Sequence, residues 1–219
     1  MKLLHIEARS DKVIVLPKVF IDSLPKTVAL FTTVQFLDNV ASIIKSIEDT
    51  GRRVVKIKPR HCVYECQILG CSIEKFNQEF DSFLYVGDGY FHPKALLLKN
   101  DKSVFIYNPF SEKHFEFDRS EMDALARKEK GAILKFHSSK EIGVLLTIKP
   151  GQFLIKEANA LKAKFPEKNF YFLVSNIIDF NSLEDFPFVE VFVNTACPRI
   201  AFDDSIKLPK PVVFVEDLL

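Results

Sequence analysis

An α/β chain of two similar three-layer domains, each built on a small and mainly parallel sheet, is the architecture this sequence predicts. Three observations carry it. Residues 28–58 run through a short apolar stretch, an amphipathic stretch and a second apolar stretch, which reads as strand, helix, strand. Residues 142–215 go through the same scheme again, and two successive units of similar size and order suggest duplicated domains. Hydrophobic residues make up 47% of the 219, enough to bury cores of that size.

In chain order, the apolar runs Leu3 to Ile6 and Val13 to Leu16 read as a strand or connector, the last piece of a domain whose earlier part lies elsewhere. VALFTT (28–33) is the first strand of the main unit. Residues 35–49 place Phe36, Leu37, Val40, Ile43, Ile44 and Ile47 at helical spacing, Gly51 closes that helix, and VVKIK follows as a strand. A parallel pair with a right-handed crossover is the economical arrangement. A cysteine-bearing loop then spans 58–73, a short helix is expected at 74–79, and the strand SFLYVG runs into Asp88 and Gly89. YFHPKALLL and VFIYNPF complete the domain, expected to end at residue 112.

The second domain, 113–219, opens on the most charged part of the chain, where a capping pattern of Ser or Asp with glutamate starts a solvated helix from Ser120 to about Lys135. Then come the strand IGVLLTI, the turn KPGQ, a helix over 153–165, the strand FYFLV, a short helix around Ser182, the strand VEVFV, a loop with Cys197, and the strand VVFV.

Lysine and arginine (30) nearly cancel aspartate and glutamate (29), so no whole-chain basic field favours nucleic acid. No apolar run approaches the length of a membrane span, and charge comes too early for a secretory leader, so a cytoplasmic protein with no membrane contact is expected. Four cysteines in such a chain do not look like a disulfide framework, which leaves metal, redox or inert roles. Val189 to Val193 empties into Asn194, Thr195, Ala196 and Cys197, and Pro198 stops helix at the cysteine, so a thiol sits at a strand end, where open parallel sheets bind ligands. Cys62, Cys66 and Cys71 are close enough for zinc or an iron-sulfur cluster, although neither spacing is that of a C-x2-C zinc knuckle.

Three segments, ECQILGCS, VGDGYFHPKAL and VNTACPRIAFDD, with the turn at Lys149 to Gln152, resemble the second and third domains of the diphthamide synthesis enzymes, the 2-(3-amino-3-carboxypropyl)histidine synthases. The resemblance runs from HIEARSD to the C-terminus and covers about the last two thirds of the family's pattern. It implies an atypical radical S-adenosylmethionine enzyme, a dimer in which three similar domains per subunit each give one cysteine to a 4Fe-4S cluster. A 3-amino-3-carboxypropyl radical released from S-adenosylmethionine then adds to a histidine of translation elongation factor 2.

Carried over residue by residue, the resemblance makes Cys71 and Cys197 the second-domain and third-domain cluster ligands, both expected at strand ends and facing one cleft. Gly87, Asp88, Gly89, Phe91 and His92 match the family's Asp-Gly-x-Phe-His segment, with Tyr90 where arginine is usual. Lys149, Gly151 and Gln152 match the turn that would hold the amino-carboxyl end of S-adenosylmethionine, and Arg199 would orient Asp203 or the substrate. For Asp88, His92 and Gln152, a strand-end turn with local hydrogen bonds is the competing reading.

The family's first domain, with its cysteine, would lie upstream of HIEARSD. Three expectations follow: a separately encoded first-domain chain, or a paralogous synthase subunit, completes the cluster in an oligomer; Cys62 or Cys66, the latter nearer to Cys71, replaces the third ligand; or the chain is a non-catalytic paralogue serving as a binding or electron-transfer subunit. A zinc protein using His61, Cys62, Cys66 and Cys71 is disfavoured because adjacent His61 and Cys62 do not easily share one tetrahedral site and Cys197 is left unused.

Overall fold

The computed structural model describes residues 6–117, 120–149, 151–204 and 208–219. The chain divides into two units, Met1–Met122 and Asp123–Leu219.

The first unit is organised around β1 (Thr27–Thr32), a strand buried on both faces from Val28 onward. A continuous apolar run of this kind is what a parallel strand covered on both sides requires. It pairs in parallel with β2 (Arg53–Lys56) and β3 (Ser82–Val86); β4 (Val104–Tyr107) adds in parallel to β3, and β5 (His114–Glu116) closes the edge antiparallel. The order is β2-β1-β3-β4-β5. The amphipathic stretch after β1 enters as a 3-10 turn, Val34–Asn39, and becomes α2 (Val40–Glu48), after α1 (Lys18–Ser23). Asn39 marks the change: its Oδ1 accepts the Ile14 N–H at 2.8 Å and its Nδ2 donates to the Lys12 carbonyl at 3.0 Å. Those bonds pin residues 12–14 as an irregular connector, with Ile14 and Leu16 buried in the core beside Phe36, Ile43 and Ile47. Gly51, at φ 82°, ends the helix as expected.

Two expectations for this unit are corrected. Residues 74–79 form no helix. The amide of Asn100 takes up their backbone, accepting from Phe76 N–H (3.0 Å) and donating to the Glu74 carbonyl (2.8 Å), while Phe76 and Phe80 pack on Phe83. The boundary expected after 112 falls ahead of β5, which belongs to the first sheet; the division lies after Met122. The run Leu3 to Ile6 and the capping residues at 118–119 lie largely outside the described residues.

The second unit takes in most of α4 (Ser120–Ser138), whose Ala132 and Phe136 enter its core. Its sheet has the order β7-β6-β8-β9, all parallel, with β6 (Glu141–Thr147), β7 (Asn169–Ser175), β8 (Val191–Asn194) and β9 (Val212–Phe214). α5 (Ile155–Lys164) links β6 to β7 and buries Ala158 and Leu161. The order repeats that of the first sheet without its antiparallel edge, the first strand lying between the second and third in both. A lysine stands in for a cap: Lys168 Nζ donates to the carbonyls of Phe136 (2.9 Å) and His137 (3.1 Å) at the end of α4. Among the described residues no helix is long and apolar enough to cross a membrane.

Candidate functional site

In a sheet whose first strand sends one connection to each side, the crevice at that reversal is where ligands bind. It falls between β1 and β3 in the first unit and between β6 and β8 in the second, and most motif residues lie beside these two places.

In the first unit, Thr32 at the carboxyl end of β1 organises the cysteine loop. Its N–H donates to the Cys66 carbonyl (2.7 Å), its carbonyl accepts from Ile68 N–H (2.9 Å), and its hydroxyl donates to the Val86 carbonyl (2.6 Å) at the end of β3. Cys66, at φ 61°, turns the chain into this register, and Gln67 Oε1 gathers the N–H groups of Val63 (2.8 Å) and Tyr64 (3.1 Å). Beyond it, Leu69-Gly70-Cys71 is held by the buried Ser72, whose Oγ accepts from Leu69 N–H (3.4 Å) and donates to the Arg60 carbonyl (3.3 Å). Cys71 is thus on a loop laid across the end of β1, not at a strand end as expected, and it is partly exposed.

The other two thiols of this loop are buried. Cys62 Sγ lies 3.5 Å from Ser72 Oγ, and burial pushes its pKa up. Cys66 is fully buried in the core with Leu30, Phe36 and Val86, and burial pushes its thiol up to about 11. A protonated thiol enclosed by hydrocarbon is a packing residue. Its surroundings do not suit the replacement ligand that the spacing suggested.

The Asp-Gly-Tyr-Phe-His segment turns from β3 into α3 (Phe91–Leu97). Asp88 Oδ1 accepts from Gly89 N–H (2.8 Å) and from Asn108 Nδ2 (2.7 Å), so the ends of β3 and β4 are tied at that carboxylate. Asn108 Oδ1 in turn accepts from Phe110 N–H (2.9 Å) and Ser111 N–H (3.2 Å). Gly89, at φ 68°, makes the turn. The Phe91 ring lies on Gly70, so the two motif segments of this unit are in contact. Tyr90 is exposed and packs on Phe115 and Phe117, with ring centroids 5.7 and 5.8 Å away.

In the second unit, Asn194 ends β8 and caps its own loop: Oδ1 accepts from Ala196 N–H (2.9 Å) and Nδ2 donates to the Cys197 carbonyl (2.8 Å). Cys197, partly exposed, is therefore fixed just past a strand end, as expected. Cys197 is outside helix, as expected, and Pro198 stands at the N-cap of a short helix that begins after it, α6 (Arg199–Phe202). Arg199 is buried and pairs with Asp203 through two bonds, Nε to Oδ2 at 2.6 Å and an Nη to Oδ1 at 3.0 Å. The turn is present, Gln152 N–H donating to the Lys149 carbonyl (3.1 Å) with Gly151 at φ 76°. Leu154 N–H reaches the Thr195 carbonyl (3.4 Å), and Thr195 N–H the Leu145 carbonyl (3.0 Å), so the Lys149–Gln152 turn and the Cys197 loop adjoin across β6 and β8.

Each unit thus presents one partly exposed thiol beside its crevice. Among the described residues no three or more His, Cys, Asp or Glu side chains gather as a metal-binding set. A hollow of about 300 Å³ near Phe172, Ile178 and Phe186 is lined by none of the motif residues. Sequence reasoning missed Asn108, Asn194 and Ser72, which hold the motif residues; an asparagine directly after an apolar strand was the available signal.

The family model for diphthamide synthesis proteins matches residues 3–218. A 2-(3-amino-3-carboxypropyl)histidine synthase of Pyrococcus horikoshii is 28% identical over 196 residues, covering 88% of this chain and 56% of that protein. The synthase of Methanocaldococcus jannaschii is 35% identical over 154 residues, covering 68% and 44%, and the human synthase subunit 1 is 29% identical over 192, covering 84% and 42%. The crystal structure of Dph2 from Pyrococcus horikoshii with a 4Fe-4S cluster matches with a TM-score of 0.75 at 26% identity, over 90% of this chain and 57% of that one. The chain spans about half the length of the curated relatives it matches.

Proposed function

This chain belongs to the diphthamide synthesis family, and from that membership we propose that it is a component of the enzyme that transfers a 3-amino-3-carboxypropyl group from S-adenosylmethionine to a histidine of elongation factor 2. Its two units correspond to the family's second and third domains. A separately encoded first-domain chain, or a paralogous subunit, completes the assembly in the cytoplasm. The observation that carries the reading is that each unit holds one partly exposed cysteine, Cys71 or Cys197, on a loop braced at the carboxyl end of its sheet, while the remaining two cysteines are buried.

The residues present fit a 4Fe-4S cluster in their chemistry, since thiolate is its usual ligand and both thiols are partly exposed. Cys71 and Cys197 would hold it together with one thiolate from the partner. When bound, the cluster supplies the electron that cleaves S-adenosylmethionine and releases the 3-amino-3-carboxypropyl radical. The protein's own work is placement. Lys149, Gly151 and Gln152 form a turn that would take the amino-carboxyl end of S-adenosylmethionine, Asp88 and His92 are the first unit's candidates for cofactor contact, and Arg199 acts through Asp203 to hold the Cys197 loop.

A second reading, a non-catalytic binding or electron-transfer subunit, is favoured by one observation: Tyr90, standing where the family has arginine, is engaged with Phe115 and Phe117.

Anaerobic reconstitution with iron and sulfide separates the two. Iron per chain and visible absorbance are read for the wild type, Cys71→Ala, Cys197→Ala and Cys66→Ala, alone and with the first-domain partner. Loss of the cluster at Cys71 and Cys197 but not at Cys66 is the expected result. No cluster in any mixture moves the assignment to the binding subunit.

A further inference from the structure

Tyr85 lies in the middle of the first sheet and is fully buried, yet its hydroxyl reaches the turn at Asp88 and His92 in the first turn of α3. The phenol oxygen is 3.3 Å from the Asp88 carbonyl and 3.4 Å from His92 Nδ1, and the two rings stack with centroids 6.0 Å apart. Room for it is made by Gly87: a Cβ there would stand 2.4 Å from the hydroxyl. That approach is closer than side chains tolerate, so the glycine and the tyrosine are matched.

One proton decides what the contact does. A carbonyl oxygen only accepts, so the phenol must spend its single hydrogen on Asp88. Both contacts are then satisfied only if Nδ1 of His92 carries a hydrogen and donates it to the phenol oxygen. In a neutral imidazole the other nitrogen, Nε2, then holds the lone pair. Burial pushes the Tyr85 pKa far up, so the hydroxyl keeps its proton through the neutral range.

We propose that Tyr85 is a positioning residue that fixes His92 as the Nδ1–H tautomer, with the lone pair on Nε2. Second-layer partners commonly set a functional imidazole this way. The consequence for group transfer rests on the function proposed above; the tautomer does not.

The test begins on the wild-type chain. Long-range proton–nitrogen correlation of the imidazole rings, with His92 assigned by comparison with His92→Gln, should show a pyrrole-like Nδ1 and a pyridine-like Nε2. Tyr85→Phe keeps the ring and removes the hydroxyl, and should shift His92 toward the Nε2–H form; Gly87→Ala, which displaces the hydroxyl, should do the same. A wild type already in the Nε2–H form, or a Tyr85→Phe spectrum unchanged at His92, overturns the proposal, and the wild-type arm requires no variant to fold. In the partner-completed enzyme, Tyr85→Phe should keep the wild-type iron content and slow transfer roughly 3- to 10-fold, the size of one lost hydrogen bond. If the tautomer changes as expected but neither Tyr85→Phe nor His92→Gln slows transfer, the positioning stands and the part assigned to His92 in the reaction falls.

Discussion

A methyl group placed on Gly70 would stand 2.1 Å from Cε1 of Phe91, so the loop that carries Cys71 and the helix that follows Asp88 are fitted to each other at one glycine. Gly70→Ala must push the ring aside. Phe91 is 49% exposed and can partly yield, so the expected loss of stability is about 1 kcal/mol, at the low end of overpacking costs. Denaturant unfolding of Gly70→Ala, Phe91→Ala and the double variant gives the coupling. The double variant should be more stable than the two single losses add up to, and simple additivity would mean the ring does not hold the loop.

Alkylation separates the four cysteines. In the folded chain at neutral pH, Cys71 and Cys197 should react with iodoacetamide while Cys62 and Cys66 are spared until denaturant is added. Mass spectrometry of digested peptides reads this directly. Early labelling of Cys66 would contradict its place in the core.

The same residue gives a pH dependence. The Cys66 thiol is raised from 9.0 to about 11 in the folded chain, so the unfolded chain loses that proton first as pH rises. Its contribution is complete below pH 9, declines above it, and is gone beyond about 11. A shift of this size amounts to roughly 2–3 kcal/mol. Cys66→Ala is expected to be less stable at pH 7 but to lose less stability between pH 8 and 11. Parallel stability curves for the two proteins would remove the assignment.

Arg199 and Asp203 make a two-pronged pair on a four-residue helix, with the guanidinium side chain only 5% exposed. Asp203→Asn should destabilise by about 1–3 kcal/mol, because a buried cation loses its charged acceptor. Arg199→Lys should recover little, since an ammonium lacks the planar fork. Thermal unfolding of both tests this, and the Cys197 thiol should label faster in each if the pair braces the loop.

Tyr90→Arg restores the family's usual residue. The tyrosine is 55% exposed, so giving up its contacts with Phe115 and Phe117 should cost no more than about 1 kcal/mol. On the proposed function, affinity for S-adenosylmethionine should rise about 2- to 5-fold, the worth of one exposed ion pair with its carboxylate. Equilibrium binding to the partner-completed protein decides, and unchanged affinity would mean that this position does not meet the carboxylate.

Much of the fold was legible because buried parallel strands centre on unbroken apolar runs: 28–31, 83–86, 144–146 and 191–193 stand out without any tertiary knowledge. What was not legible depends on single side chains acting at a distance. The amide of Asn100 overrides the helix expected at 74–79, and Asn39 holds a connector 25 residues upstream. β5 was hidden in a charged stretch because an edge strand of three exposed residues has no apolar signature. Cys71 and Cys197 were singled out by resemblance, and Cys197 also by its place after an apolar strand. That Cys66 is a core residue was not, because spacing along a chain carries no information about which thiol the fold encloses.

The matching strand orders of the two sheets have one more consequence, for how the two thiols are placed. Cys71 lies between the second and third strands of its unit, whereas Cys197 lies between the third and fourth of the other. The two thiols therefore do not occupy equivalent loops of the two units: the same kind of crevice is supplied with a cysteine from a different connection in each.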